Sequence, residues 1–312
     1  MISPRWDDPT FRVSSDPSRR ARYRLLQSWY RETVLGLEAG RDSAGRQLGN
    51  LLPQAAVKSD PSLNFLRDDR LARVALERLA ENRGTFVKGR LLHNLLSSQP
   101  LCVNLFGGLA LHPVEAASVL RSVSGLPVKR VDELMIEMAP EAAVGILLDR
   151  TAFDAYIEYE ADDGEHCFLG IETKYTEPFS HDLDLGDEKR DKYRRIAVRS
   201  GAFHRPLGAE LLTPKASQLF RNVLLGLSHS STSQLRGHVL VVALEDDLTA
   251  AAGVQTVRDE LVAPDDCLLS VSIESIIGAA SKFPCFAGWA EHFSCRYLNL
   301  APVAAAPAER GR

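Results

Sequence analysis

The chain has 312 residues, 45% hydrophobic and 25% charged, with a formal net charge of -4. This is an ordinary globular composition, which argues against a wholly disordered chain, and the near balance of charge means that any surface for a polyanion must be local. No run reaches the roughly 18 apolar residues of a membrane span, and the opening MISPRWDDPTF lacks an apolar signal region, so a cytoplasmic protein with no membrane partner is expected.

The elements are read in chain order. Residues 1–16, rich in Pro and Asp, are expected to be disordered or draped over the surface. SRRARYRLLQSWYRET (18–33) reads as a helix with a basic first half, and 41–62 as loops and turns. Helical patterns follow at 66–82 and 87–98, the second with Leu91, Leu92, Leu95 and Leu96 on one face. SSQP and NLFGG read as packing or turns between the helical region and the core, with Gln99 and Asn104 able to support a site. A further helix is expected at 114–123. The character then changes: VDELMIEM, TAFDAYIEYE (151–160) and HCFLGIETKY (166–175) are strand-like runs with little helical period. A charged helix at 187–199 precedes an amphipathic one at 215–227, with Pro214 in its first turn. HVLVVALE (238–245) is almost wholly apolar, as expected of a strand buried on both faces. Helices near 254–262, 273–281 and 286–293 surround a short strand LLSVS, and 301–312 is expected to be a disordered tail. The fold class is therefore α/β: a core of helix, three strands, helix, strand within 113–300, an N-terminal helical region over 17–112, and additional C-terminal α/β elements.

Five cysteines, at 102, 167, 267, 285 and 295, form no C-x-x-C pair and are odd in number. Reduced thiols are the expectation, rather than a zinc ribbon or a disulfide framework. There is no HExxH spacing, G-x-S-x-G, Walker A or G-x-G-x-x-G, and His166 reads as structural.

Two D/E-x-K triplets occur, where eight lysines and 41 acidic residues give about one by chance. Asp187 and Lys189 lie in a charge run that reads as a helix start. Glu172 and Lys174 instead end an apolar strand, and their spacing points both side chains to one face. Upstream, Asp154 lies inside the preceding strand, and the connector ADDGE carries an Asp-Gly hairpin signal. A hairpin centred on Asp163 sets Asp154 opposite Glu172, with Cβ atoms about 4.5–5.5 Å apart. Two carboxylates so close repel unless a cation lies between them, and a hard divalent ion, Mg²⁺ or Mn²⁺, would resolve the conflict. Lys174 could then orient or help deprotonate an attacking water and stabilise charge developing on phosphorus. The bland alternative is an exposed strand edge whose charges simply pair, worth about 0.2–1 kcal/mol. Phe153, Ala155, Tyr156 and Ile157 around Asp154 weigh against it, because an unpaired carboxylate among them is costly.

Asp154 followed by Glu172-Thr173-Lys174, within this element order, resembles the PD-(D/E)XK nuclease superfamily and its restriction endonuclease-like fold. More narrowly, LLSSQPLCVNLFG, LLDRTAFDAYIEY, GIETKYTE and QLFRNVLL are together similar to a bacterial family of restriction endonuclease-like proteins. The proline that names the superfamily is missing, since Phe153 precedes Asp154. The resemblance implies that Asp154 and Glu172 are metal ligands, with the Thr173 carbonyl as a third, and that Lys174 is the catalytic lysine. It also implies an auxiliary glutamate, for which Glu115 and Glu137 are candidates, and a polar residue from the helix after the third strand. Gln218 fits that last place: Ala216, Leu219, Phe220, Val223, Leu224 and Leu227 form a buried stripe that leaves Gln218, Arg221 and Asn222 on a polar one. Lys189, Arg190, Lys192, Arg194 and Arg195 offer phosphate contacts or a merely solvated helix, and the basic helix from Arg19 to Arg31 has the same two readings. The implied activity is that of a Mg-dependent endonuclease hydrolysing phosphodiester bonds of DNA by attack of water. Its rivals are the same chemistry on RNA, and a non-catalytic nucleic-acid-binding or interaction module that keeps the fold. A homodimer stays open, with no stretch identifying an interface.

Overall fold

The structure, a computed structural model, describes residues 8–66, 70–82, 85–140, 147, 151–179, 186–205 and 208–304. Of the termini expected to be disordered or draped, 1–7 and 305–312 lie outside the described residues. Within 8–16, Phe11 is buried and Asp16 pairs with Arg24 at 2.5 Å.

The N-terminal region consists of α1 (Ser18–Trp29), a short strand pair β1 (Gly40–Arg41) and β2 (Gln47–Leu48), α2 (Gln54–Ser59), α3 (Arg70–Ala80), α4 (Ser98–Ala110) and α5 (Pro113–Ser124). A five-stranded sheet follows, whose spatial order is its chain order: β3 (Val128–Met138), β4 (Phe153–Ala161), β5 (His166–Thr173), β6 (Arg236–Ala243) and β7 (Leu268–Ser272). The first three strands run antiparallel, whereas β5, β6 and β7 are parallel. The parallel pairs require crossovers, supplied by α6 (Asp187–Ser200) with α7 (Ser217–Ser233), and by α8 (Leu248–Arg258). Helices α9 (Ile273–Ala280) and α10 (Ala287–Tyr297) close the chain.

Strand periodicity sorts the core into two layers. Leu134, Ile136, Ala155, Ile157, Leu169, Ile171, Leu240 and Val242 face α1, α3, α4, α5, α9 and α10 in one cluster. Tyr156, Phe168, Val239 and Val241 face α6, α7 and α8 in the other. Among the described residues of 17–112, those of α1, α3 and α4 share the first-layer cluster with the sheet. The β4–β5 hairpin turns at Asp163, with Gly164 at a left-handed φ of 85° that glycine adopts without strain. Its register runs from Glu160↔His166 to Ala155↔Ile171, the pairing set by a turn centred on Asp163.

Several elements depart from their predicted bounds: α8, expected near 254–262, runs Leu248–Arg258, and α2 with the β1–β2 pair lies in or at the edge of 41–62, where loops and turns were expected. The segment expected to be a helix at 87–98 holds one wide turn at Gly89–His93, and the helix proper, α4, begins at Ser98, where turns were expected. Every residue from Ser98 to Leu109 is buried, so the helix has no polar stripe to announce a 3.6-residue period. The α7 helix starts at Ser217, leaving Pro214 outside it, and extends to Ser233. In its serine-rich end the Ser231, Thr232 and Ser233 hydroxyls donate to carbonyls one turn back, so these side chains bond within the helix. Among the described residues no single helix is long and apolar enough to cross a membrane. The five cysteines are free thiols.

Candidate active site

The first two ligand candidates meet because the hairpin register carries one residue past its last ladder pair, so the N-terminal end of β4 lies beside the C-terminal end of β5. There Asp154 Oδ2 accepts from the Thr173 backbone N–H at 2.8 Å. Among the described residues Oδ1 has no protein partner. Glu172 and Lys174, two apart on β5 and just beyond it, share the face that packs on α7. Lys174 Nζ is 2.8 Å from Glu172 Oε1 and donates to Gln218 Oε1 at 3.0 Å. From the same helix, Gln218 Nε2 donates to Glu172 Oε1 and Asn222 Nδ2 to Oε2, both at 2.7 Å. Positions 218 and 222 are one turn apart, so a single face of α7 meets both oxygens of one carboxylate.

Glu172 is 3% exposed and Lys174 6%, at the floor of a cleft of ≈ 420 Å³. Asp154, Gln218, Arg221 and Asn222 line it together with Thr85, Arg90, Ser98, Gln99 and Glu177. Burial, then the charges of Glu172 and Glu137, push the Asp154 carboxyl well above the ordinary aspartate range, against the pull of Lys174 and the Thr173 N–H. Burial draws the Lys174 ammonium down, but Glu172 and then Asp154 outweigh it and hold the group above the usual lysine value. The lysine is thus a fixed cation. A buried ion pair of this kind is no stabilising device, since a well-packed apolar replacement is often neutral or better. Its burial beside a second, repelled carboxylate is intelligible as a site built for a ligand.

The remaining sequence candidates divide. Glu137 lies at the end of β3 with a left-handed φ of 50°, and its Oε2 accepts from the Thr85 backbone N–H at 3.0 Å and the Thr85 hydroxyl at 2.5 Å. It therefore borders the cleft by holding one of its lining residues. Glu115, in the first turn of α5, is not part of the cleft: it groups with His112 and Cys285, their ligand atoms within 4.8 Å of one another. The Thr173 side chain is turned to the other face of the sheet beside Cys102, leaving only its backbone toward Asp154. Gln99 lines the cleft and braces its rim, accepting from Val87 N–H and donating to the Thr85 carbonyl. Asn104 is committed elsewhere, to Leu66, Asn64 and Tyr297.

The α6 cations lie away from the cleft. Lys192 pairs with Glu188, Arg194 with Asp191, and Arg195 donates to the Asp191 carbonyl, while Tyr193 and Ala197 pack inward. Lys189 lies over the Tyr193 ring, and Arg190 is exposed. The basic face of α1 is largely neutralised within the protein, Arg19 and Arg22 by Asp246 and Arg24 by Asp16. Sequence reasoning missed Arg90, Ser98 and Glu177. Glu177 Oε1 accepts from the Ser98 N–H, at the start of α4, at 3.0 Å and from the Arg90 guanidinium at 3.2 Å. Glu177 ends the same short stretch as Glu172 and Lys174, which was its one visible signal.

A family model described as the PD-(D/E)XK nuclease superfamily matches residues 14–299. No curated protein and no solved structure matches the chain. The family match takes in the N-terminal helices as well as the sheet, the same elements that wall the cleft around Asp154, Glu172 and Lys174. The chain belongs to the PD-(D/E)XK nuclease superfamily, whose members typically use divalent metal ions.

Proposed function

We propose that this protein is a metal-dependent endonuclease that hydrolyses phosphodiester bonds of DNA at the Asp154–Glu172–Lys174 cleft. The observation that carries the reading is the pair of carboxylates held on one cleft floor, one with an uncommitted oxygen, beside a buried ammonium group. The acceptors fit a hard divalent cation: the two carboxylates offer oxygens, and the charge repulsion that, after burial, lifts Asp154 is what such an ion would relieve. Asp154 and Glu172 would hold the ion, with the Thr173 carbonyl as a further donor, and Mg²⁺ or Mn²⁺ would supply Lewis-acid polarisation of the phosphoryl group.

The chain's own residues define the rest. Gln218 and Asn222 fix both oxygens of Glu172, so that carboxylate is preorganised before any ligand arrives. Lys174, kept protonated by its neighbours, serves as an electrostatic partner for charge developing on the phosphoryl oxygens and orients the attacking water by donating to it. The burial of Glu172 and Lys174 lowers the local dielectric and strengthens both effects. Cleavage of circular DNA, both supercoiled duplex and single-stranded, in Mg²⁺ or Mn²⁺ tests the reading: wild type should cut at least one of the two, and Asp154→Ala and Lys174→Ala should each lose about 10²–10³-fold in rate. Equal cleavage by all three proteins, or none of either DNA by wild type with either metal, refutes it.

A further inference from the structure

The candidate cleft does not end at its own walls. Arg90 also lines a second and larger hollow of ≈ 850 Å³, bounded by Arg41, Gln47, Gln54, His93 and Asn94. Gln54 and His93 in turn border a third hollow of ≈ 350 Å³, which adds Lys58 and Lys88. The three hollows adjoin in a row at shared lining residues, Arg90 between the first two and Gln54 and His93 between the last two, and together they make a trough along the turn at 87–93. Four permanent cations line it beyond the carboxylate cleft: Arg41, Arg90, Lys88 and Lys58. Two acids face them, Glu38 and Asp42, and Asp42 is engaged by Arg46 at 3.3 Å.

We propose that this trough carries the sugar–phosphate backbone of a single nucleic-acid strand away from the cleft, and that Glu177 gates the junction. The proposal deepens the nuclease reading and rests on the cleft being where a phosphodiester is cut. One observation selects a single strand. Glu172 and Lys174 are 3% and 6% exposed, so a scissile phosphate must leave the surface and descend to them. A duplex, stiff over about 50 nm, resists so local a bend, whereas one strand does not. The surplus of cations along the trough suits a phosphate chain. Among the described residues no Phe, Tyr or Trp lines the second or third hollow, so binding there follows the backbone charge and tolerates any sequence. At the junction, the Glu177 carboxylate already engages Arg90 and the Ser98 N–H, partners a phosphate would use, and its charge repels the strand until it swings aside.

Fluorescence anisotropy of a labelled DNA oligonucleotide, in EDTA so that nothing is cut, separates the alternatives as salt is varied. Two lost phosphate contacts reduce the slope of log affinity against log salt by about 1.4, at roughly 0.7 each for a single strand. The Lys58→Ala/Lys88→Ala double variant should show that reduction. Arg190→Ala/Arg194→Ala on α6 should not, and Glu177→Gln should bind several-fold tighter than wild type. Single strand should bind tighter than the matched duplex. The proposal is overturned if the trough variant keeps the wild-type slope, if the α6 variant alone loses it, if Glu177→Gln binds more weakly than wild type, or if duplex binds as well as single strand. Circular dichroism confirms that each variant is folded. A wild type that binds through the trough yet cleaves nothing in Mg²⁺ or Mn²⁺ supports the trough and refutes the hydrolase. One that cleaves, with binding indifferent to Lys58 and Lys88, does the reverse.

Discussion

Replacing Asp154 by asparagine should make the metal-free protein more stable while removing its response to metal. Asp154 and Glu172 follow directly on the Ala155↔Ile171 pair of an antiparallel ladder. Cross-strand neighbours there lie about 5 Å apart, and two like charges at that separation repel by about 3 kcal/mol at an effective dielectric constant of roughly 20. Glu137 adds a second repulsion, and Lys174 returns part of both. The asparagine oxygen still accepts from Thr173 N–H, so the backbone contact survives. A net gain of about 1–3 kcal/mol follows, or a rise of about 1.5–4.5 °C in Tm for a chain of this length. The pH dependence has a definite sign. A folded-state carboxyl held above its unfolded value, near 3.9, costs nothing while both states are protonated. Stability then falls as pH rises from that value to the raised one, because the unfolded state releases the proton first, and the penalty is fully present beyond it. Thermal melts of wild type and Asp154→Asn in EDTA, stepped from about pH 4 upward, read this directly. Added Mg²⁺ or Mn²⁺ at about 100 times its Kd should raise wild-type stability by about 2.7 kcal/mol and the variant's far less. An Asp154→Asn protein that melts at or below wild type in EDTA would falsify the account of two opposed carboxylates.

Other substitutions probe neighbouring parts of the same construction. Lys174→Met strips the buried Glu172 of its ammonium partner and should cost about 3–5 kcal/mol in EDTA, part of it recovered on adding Mn²⁺, as followed by urea melts. Recovery by none of the divalent ions would contradict a shared cation site. Asn222→Leu leaves Glu172 Oε2 without its donor and should lose about 1.5–3 kcal/mol together with nicking activity; an unchanged urea midpoint would show that the contact carries no weight. Gly170→Ala places a Cβ 2.4 Å from Phe153 Cε1, so the ring preceding Asp154 must move. About 1–3 kcal/mol of destabilisation and weaker Mn²⁺ binding by calorimetry are expected; intact metal affinity would separate Phe153 from the positioning of Asp154.

Local rules reached far into this chain because its central motif is itself local. One Asp-Gly turn and the two-residue period of a strand bring Asp154 to the end of the hairpin that carries Glu172 and put Lys174 on the face of Glu172, with fewer than twenty-five residues involved. The helix stripe that isolates Gln218 and Asn222 follows equally from spacing alone, and α7 does bring both to Glu172. The same rules misplaced α4. A helix buried on every side carries no alternation to read, and Gly108, directly beneath the Trp289 ring, looks like a turn residue until its partner is known.

What the sequence by itself determined was thus the hairpin, its register and the charges it gathers, since turn chemistry and side-chain period act over a few residues. Only the tertiary structure decided what encloses them. It brought Arg90 and Ser98 across some 80 residues of chain to Glu177, set Glu137 rather than Glu115 beside the cleft, and turned the α6 cations elsewhere. Those outcomes depend on how helices seat against the two faces of a sheet, a packing problem among distant segments for which no short stretch of sequence holds the answer.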